Sequence, residues 1–248
     1  METNNLRLVS FEDLKKFSKR SYMEVGVSPG EAEIVADLLV RSDLRGVETH
    51  GVTRLPIYIQ RLKKGYVRKK AKISIVKEKG PTAFLDAHGS MGHIAAFKAM
   101  EKAIKKAEEF GIGWVSIKDS GHFGVAGLFA MMALKKDFIG YIVSNTAPIM
   151  FPLGGRDRII GNNPLAYAFP AGGDRPVVLD FSLSVVSAGK LILCRKRGKK
   201  FPLAGLLTKA ALPLMTRTKD GKEAVRWRLW EATKGMGWRL CMKCLRLF

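Results

Sequence analysis

At residue 71 the spacing of apolar side chains changes, and that change constrains the fold more than any compositional total. Before it the intervals are helical. Leu14, Phe17, Tyr22 and Met23 follow Ser10, a capping residue with Glu12 in the first turn beyond it. Ser28-Pro29-Gly30-Glu31 is a second start signal, and Ile34, Val35, Leu38 and Leu39 carry that helix to Leu44. A third pattern, Leu55, Tyr58, Ile59 and Leu62, stops at Gly65. Beyond residue 71, Ile73 and Ile75 and then Ala83, Phe84 and Leu85 read as short strands around the Gly80-Pro81 turn. A helix follows from Met91 to Phe110, then a strand from Ile112 to Ile117, a helix from Gly124 to Lys136 and a strand from Phe138 to Val143. Residues 145–165 are rich in Asn, Gly and Pro and read as loop, with further strands at Ala166–Phe169 and Val177–Phe181. The alternation predicts an α/β domain with a central sheet behind an N-terminal helical region.

Several function classes drop out. The 248 residues suffice for one large domain or two small ones. No run of about 18 apolar residues occurs, and the opening METNNLRLVSFEDL has no apolar signal core, so the expectation is a cytoplasmic chain with no membrane partner. Cys194, Cys241 and Cys244 make no disulfide framework, and without HExxH or paired Cys and His no metal is expected. The net charge of +21 leaves a non-catalytic basic binding protein as the alternative to an enzyme. Interspersed acids and the lack of a recognition motif argue against nucleic acid as the partner. Neither GxGxxG nor GxxxxGK[ST] is present, so a nucleotide would have to bind by another route.

Two histidines stand in reactive settings. His122 lies in Ser120-Gly121-His122-Phe123-Gly124, where a strand ends and a helix begins, the edge at which open α/β sheets bind ligands. Its ordinary pKa near 6.5 suits proton exchange at neutral pH; the competing reading is a loop histidine that caps the next helix. His50 lies four residues before Arg54 between two helices, an arrangement that can set a planar guanidinium fork for a carboxylate beside an imidazole. The plainer alternative pairs Arg54 with Glu48 on a solvated surface. The stretch from Gly154-Gly155-Arg156-Asp157-Arg158 to Gly161-Asn162-Asn163-Pro164 could wrap a phosphate or serve as a surface turn.

Four segments in order, DLRGVETHGVTRLPIYIQRL, SGHFGVAGLFAMMAL, SNTAPIMFPLGGRDRIIGNNPLAYAFP and VVLDFSLSVVSAGKL, resemble the malate/L-lactate dehydrogenase family, which includes ureidoglycolate and sulfolactate dehydrogenases. The resemblance covers about residues 6–203. It implies an NAD- or NADP-dependent oxidoreductase of small 2-hydroxy acids, on a sheet-based fold that is not a Rossmann fold. Under it, His122 is the expected acid/base, Arg54 the partner of the substrate carboxylate, and His50 the first of the family's histidines. Thr146, Asn162, Pro164, Asp180, Phe181 and Ser182 fall on cofactor-side positions. Members usually form homodimers. The implied division is a helical region over 1–70 with substrate-side residues, an α/β cofactor and catalytic region over 71–203, and an aberrant tail over 204–248.

The pattern departs after Leu203. Family chains are longer and continue with Gly-Trp-Ala-x-Asp-Lys and later a Gly-Gly-His/Tyr-Lys-Gly-Tyr-Gly motif. Here residues 204–248 hold ten Lys or Arg against three acids, with Trp227, Trp230 and Trp238 and two of the three cysteines. Back-translation read one frame over permits GWAIDK across Leu203–Lys209 and LGGHKGYGLALMYEVL across Leu229–Leu245. A frameshifted, incomplete C-terminal portion explains the charge, Trp and Cys changes with one cause, and predicts a disordered tail and impaired activity. An inactive gene remnant is the extreme of that expectation.

Overall fold

The computed structural model describes residues 8–150, 152, 157–173 and 175–184, and the backbone of 206–207, 215–217 and 223–227. Two compact units divide the chain, residues 1–132 and 133–248.

In the first unit the helical start signals act as the sequence suggests. Helix α1 spans Phe11–Glu24, and the Ser10 hydroxyl accepts from the Asp13 amide at 3.1 Å. Helix α2 spans Pro29–Leu44. Ser28 uses its hydroxyl differently, donating to the Glu31 carboxylate at 2.8 Å while the other Glu31 oxygen accepts from the Ala71 amide. Lys15 bridges Glu33 and Asp37, joining α1 to α2. Two short 3-10 turns, Glu48–His50 and Val52–Arg54, lead into α3, Leu55–Lys63.

Strands β1 (Ser74–Lys79) and β2 (Thr82–Ser90) pair antiparallel. Helix α4 (Gly92–Phe110) then crosses over to β3 (Trp114–Ser120), which pairs parallel with β2. Gly111 ends α4 with φ +76°, the left-handed conformation that glycine adopts at little cost. Lys106 on α4 is buried, and its ammonium reaches both Glu78 and the Gly80 carbonyl at 2.7 Å, pinning the helix to the β1–β2 turn. Tyr22, Val35, Leu39, Leu55, Leu62 and Ile94 form the centre of one apolar core drawn from α1 to α4. Each contributes about 1.5–3 kcal/mol by leaving water. That shared core is why β1–β3 and α4 belong to the helical unit, and why the compact units divide at 132/133 and not at 70/71.

Short α5 spans Ala126–Ala130 and continues as a 3-10 turn over Met131–Lys136, so the uniform helix expected over Gly124–Lys136 is not formed. Gly124, at φ +89°, cannot begin a right-handed helix in that conformation.

In the second unit β4 (Gly140–Val143), β7 (Leu165–Phe169) and β8 (Val177–Phe181) form an antiparallel sheet in the order β4-β7-β8. Strands β5 (Pro148–Met150) and β6 (Ile160–Gly161) form a small ribbon inside the stretch read as loop. The backbone of β9 (Leu206–Leu207), β10 (Met215–Arg217) and β11 (Glu223–Trp227) forms a further sheet in the order β10-β11-β9. Sequence alternation predicted one central sheet; the described strands instead form separate small sheets, because only β2 and β3 are joined by a helical crossover long enough for parallel pairing. Gly154 to Arg156, the three cysteines, and most of residues 204–248 lie outside the described residues.

Candidate functional site

Three of the four histidines converge in the first unit. His122 follows β3, and its Nδ1 lies 2.7 Å from the Tyr58 hydroxyl on α3. The Gly124 amide approaches the same nitrogen at 3.3 Å, which leaves Nε2 on the other side of the ring. His50 stacks on His122 with centroids 5.4 Å apart and planes 18° from parallel. Beneath them His93, in the first turn of α4, meets the Tyr58 ring edge-on at 5.0 Å and the His122 ring at 6.4 Å. His88 stands apart on β2, bonded to the Ser74 hydroxyl at 2.8 Å.

Local backbone chemistry produces this convergence. The Asp43 carboxylate on α2 accepts from the Val52 amide at 2.8 Å, and a Cβ on Gly51 would collide with that same carboxylate. Asp43 therefore holds the turn between His50 and Arg54, and burial raises its pKa. Thr49 bonds His50 Nδ1 through its hydroxyl at 2.9 Å, and the Thr49 carbonyl accepts from Arg54 Nε at 2.6 Å. Arg54 thus folds back towards the His50 turn. A Cβ on Gly92 would overlap the Gly121 carbonyl, so the start of α4 and the His122 loop meet at a distance only glycine permits.

Burial dominates the electrostatics. It pushes His122 down to about 3, with the positive ends of His93, His50, Arg54 and Arg61 adding to the effect. The ordinary value near 6.5 expected for His122 is therefore corrected: the ring is desolvated. His50 falls to about 4 through burial and then Arg54, and His93 to about 3 through burial and then His50. Burial raises the Tyr58 hydroxyl to about 12. At neutral pH the cluster is three neutral imidazoles and a neutral phenol, beside the guanidinium of Arg54. A neutral imidazole can take a proton and a guanidinium can hold a carboxylate.

The sequence pointed to His50, Arg54 and His122, and the structure brings His50 and His122 together with Arg54 one turn away. Tyr58 and His93 were missed as site residues. Tyr58 lies four residues after Arg54, on the same helix face, and that spacing was the available signal. His93 offered none beyond its residue type.

The other candidates gather in the second unit. The Asn162 amide donates to the Thr146 hydroxyl at 2.7 Å, and the Thr146 amide donates to the Asn163 side chain at 3.0 Å. The Asn162 side-chain oxygen accepts from the Ser184 amide at 3.0 Å, its carbonyl accepts from Leu183 at 2.8 Å, and the Pro164 carbonyl accepts from Ser144. Asp180 and Phe181 end β8 opposite Ala166 and Leu165, with Ser182 next in the chain. Thr146, Asn162, Pro164 and the Asp180–Ser182 strand end are thereby parts of one polar corner. Among the described residues no cluster of His, Cys, Asp and Glu could hold a metal, and no helix is long and apolar enough to cross a membrane.

Comparison with known proteins agrees with this geometry. The chain is 41% identical over 202 residues to the malate dehydrogenase of Pyrococcus horikoshii, covering 82% of this chain and 56% of that one. It is 35% identical over 247 residues to the L-sulfolactate dehydrogenase of Methanocaldococcus jannaschii, covering 99% and 68%. The solved structure of sulfolactate dehydrogenase from the latter organism matches with a TM-score of 0.78 at 34% identity, over 95% of this chain and 67% of that one. This chain spans about half the length of the Pyrococcus malate dehydrogenases it matches. The model of the malate/L-lactate dehydrogenase family matches residues 9–245, and the chain belongs to that family.

Proposed function

We propose that the chain carries the substrate side and part of the cofactor side of an NAD- or NADP-dependent dehydrogenase of small 2-hydroxy acids. The observation that carries this reading is the buried His122–Tyr58 hydrogen bond one helical turn from Arg54. In the oxidative direction His122 Nε2 takes the hydroxyl proton, which requires the tautomer whose Nδ1–H donates to the Tyr58 oxygen. Tyr58 holds the ring in that tautomer and orientation. Arg54 takes the carboxylate next to the carbinol carbon, fixing that carbon beside the imidazole. The anion it holds also opposes the desolvation that keeps His122 neutral, and so strengthens it as a base when substrate is present.

A nicotinamide dinucleotide, when bound, supplies the hydride acceptor. The hydroxyl, amide and backbone groups of Thr146, Asn162, Pro164 and Ser182 suit its carboxamide and ribose, and the family's fold without a glycine fingerprint accounts for their lying outside a GxGxxG turn. The relatives' names include malate, sulfolactate and ureidoglycolate dehydrogenases, one group of them NAD-dependent and another protein NADP-dependent. A cytoplasmic homodimer is the form this reading takes.

The test follows appearance of the reduced cofactor with malate, lactate, sulfolactate and ureidoglycolate, using NAD and NADP in turn. Turnover that is lost in His122→Ala supports the reading. Salt-sensitive retention on DNA without cofactor or substrate binding would favour the basic binding protein instead.

We further propose that residues 204–248 are read in a shifted frame. The support is the abrupt gain of cations, Trp and Cys there; against it stands a family match that runs on to residue 245. The nucleotide sequence around codon 203 decides it.

A further inference from the structure

Helix α3 turns more than one charged group towards His122. Arg54, Tyr58 and Arg61 are spaced four and three residues apart, which sets them in one stripe on the helix, with the two arginine backbones about 10 Å apart along its axis. Tyr58, the middle member, holds His122. Arg61 lines a small cavity with Tyr58, His93, Gly121 and His122. Both guanidiniums act on the His122 ring and on the Tyr58 hydroxyl, so each lies within electrostatic reach of the reacting position. Among the described residues neither arginine forms an ion pair, while Lys15, Lys19, Lys102, Lys106 and Lys118 do.

We propose that Arg61 reads a second negative charge on the substrate, so that the site selects 2-hydroxy acids bearing two acidic groups over those bearing one. The proposal rests on the dehydrogenase reading above and names its substrate class: a carboxylate on the carbinol carbon, held by Arg54, and a second acid group, carboxylate or sulfonate, held by Arg61.

Two further observations support it. His93 is buried at the cavity wall, and neither ring nitrogen has a hydrogen-bond partner. A neutral imidazole there offers an N–H to an oxygen arriving beside Arg61, and a buried donor left unmatched is costly. The chain just beyond Arg61 is also one-signed: Lys63, Lys64, Arg68, Lys69, Lys70 and Lys72 occur with no Asp or Glu among them. A field of that sign at the mouth of a site attracts a dianion more strongly than a monoanion, and the advantage shrinks with salt.

The experiment measures binding of L-malate, 3-sulfolactate and L-lactate to the full chain by calorimetry, with the His122 ring resonances as a second readout. The proteins are wild type, Arg61→Gln, Arg61→Lys and Arg54→Gln. Arg61 is exposed, so its substitution removes no core contact, and an unchanged melting curve checks this. The expected result is that the two diacids bind about 10–100-fold more tightly than lactate, the gain of one charge-assisted contact. Arg61→Gln erases that gain while lactate affinity moves less than about threefold, and Arg61→Lys, which keeps the charge but not the fork, retains part of it. A gain for malate alone assigns the second group as a carboxylate, and for sulfolactate alone as a sulfonate. Equal affinity of the three acids for the wild type, or Arg61→Gln weakening lactate as much as the diacids, overturns the proposal and leaves the dehydrogenase reading standing. Failure of Arg54→Gln to weaken any acid, or absence of binding by all three, overturns that reading as well.

Discussion

Removing the Tyr58 hydroxyl leaves His122 Nδ1 without its 2.7 Å partner, while the phenyl ring still packs edge-on against His93. Tyr58→Phe should therefore fold normally and lower kcat about tenfold or more with KM little changed, because orientation and tautomer are lost but carboxylate binding is not. His122→Ala, which deletes the proton acceptor, should cost about 10²–10⁴ in rate. Equal turnover for Tyr58→Phe and wild type would show that the hydrogen bond does not position the ring. At this scale His122, His50 and Arg54 were legible because a glycine-flanked histidine at a strand end and a His–Arg spacing of four are patterns in the chain itself. Tyr58 was not, since apolar periodicity registers its ring as a core residue and says nothing of its hydroxyl.

Between elements, the meeting of α4 with the loop after β3 rests on Gly92, where a methyl group would overlap the Gly121 carbonyl and the His122 backbone. Backbone cannot yield as a flexible side chain can. Gly92→Ala should cost about 1–3 kcal/mol of stability and displace His122 from Tyr58. Thermal melting together with the His122 ring resonances checks both effects, and a variant with wild-type melting and resonances would remove Gly92 from this account. The helix starts at Ser10 and Ser28 could be read in advance because capping is local chemistry. Division of the strands among separate sheets could not, because pairing partners are chosen by contacts distant in sequence.

For the molecule as a whole, His50, His93 and His122 all have lowered pKa values in the folded state, so the unfolded chain binds protons that the native cluster does not. The stability they confer is complete above about 6.5 and is lost progressively as the pH falls towards 4 and 3. For the fully buried His93 the loss by pH 5 is about 2 kcal/mol. Denaturant midpoints measured from pH 8 to pH 4 should fall steeply below 6.5, and His93→Phe should flatten that slope. A midpoint that stays level down to pH 4 would mean that the cluster is solvated. Substrate-like carboxylates should shift the loss to lower pH by binding only the native form.

The amino-acid sequence by itself determined the helices of the first unit, the β-α-β crossover, the family membership carried by four ordered motifs, and three members of the candidate site. These depend on caps, periodicity and spacing, which act over a few residues. Only the tertiary structure decided that His93 lies beneath His122 and that Tyr58 holds the ring. It also decided that the ring's ordinary pKa does not survive burial, and that Arg54 and Arg61 face the same imidazole from one helix. Burial and electrostatic reach depend on what the fold brings near a group from far along the chain, and no local pattern in the sequence encodes that.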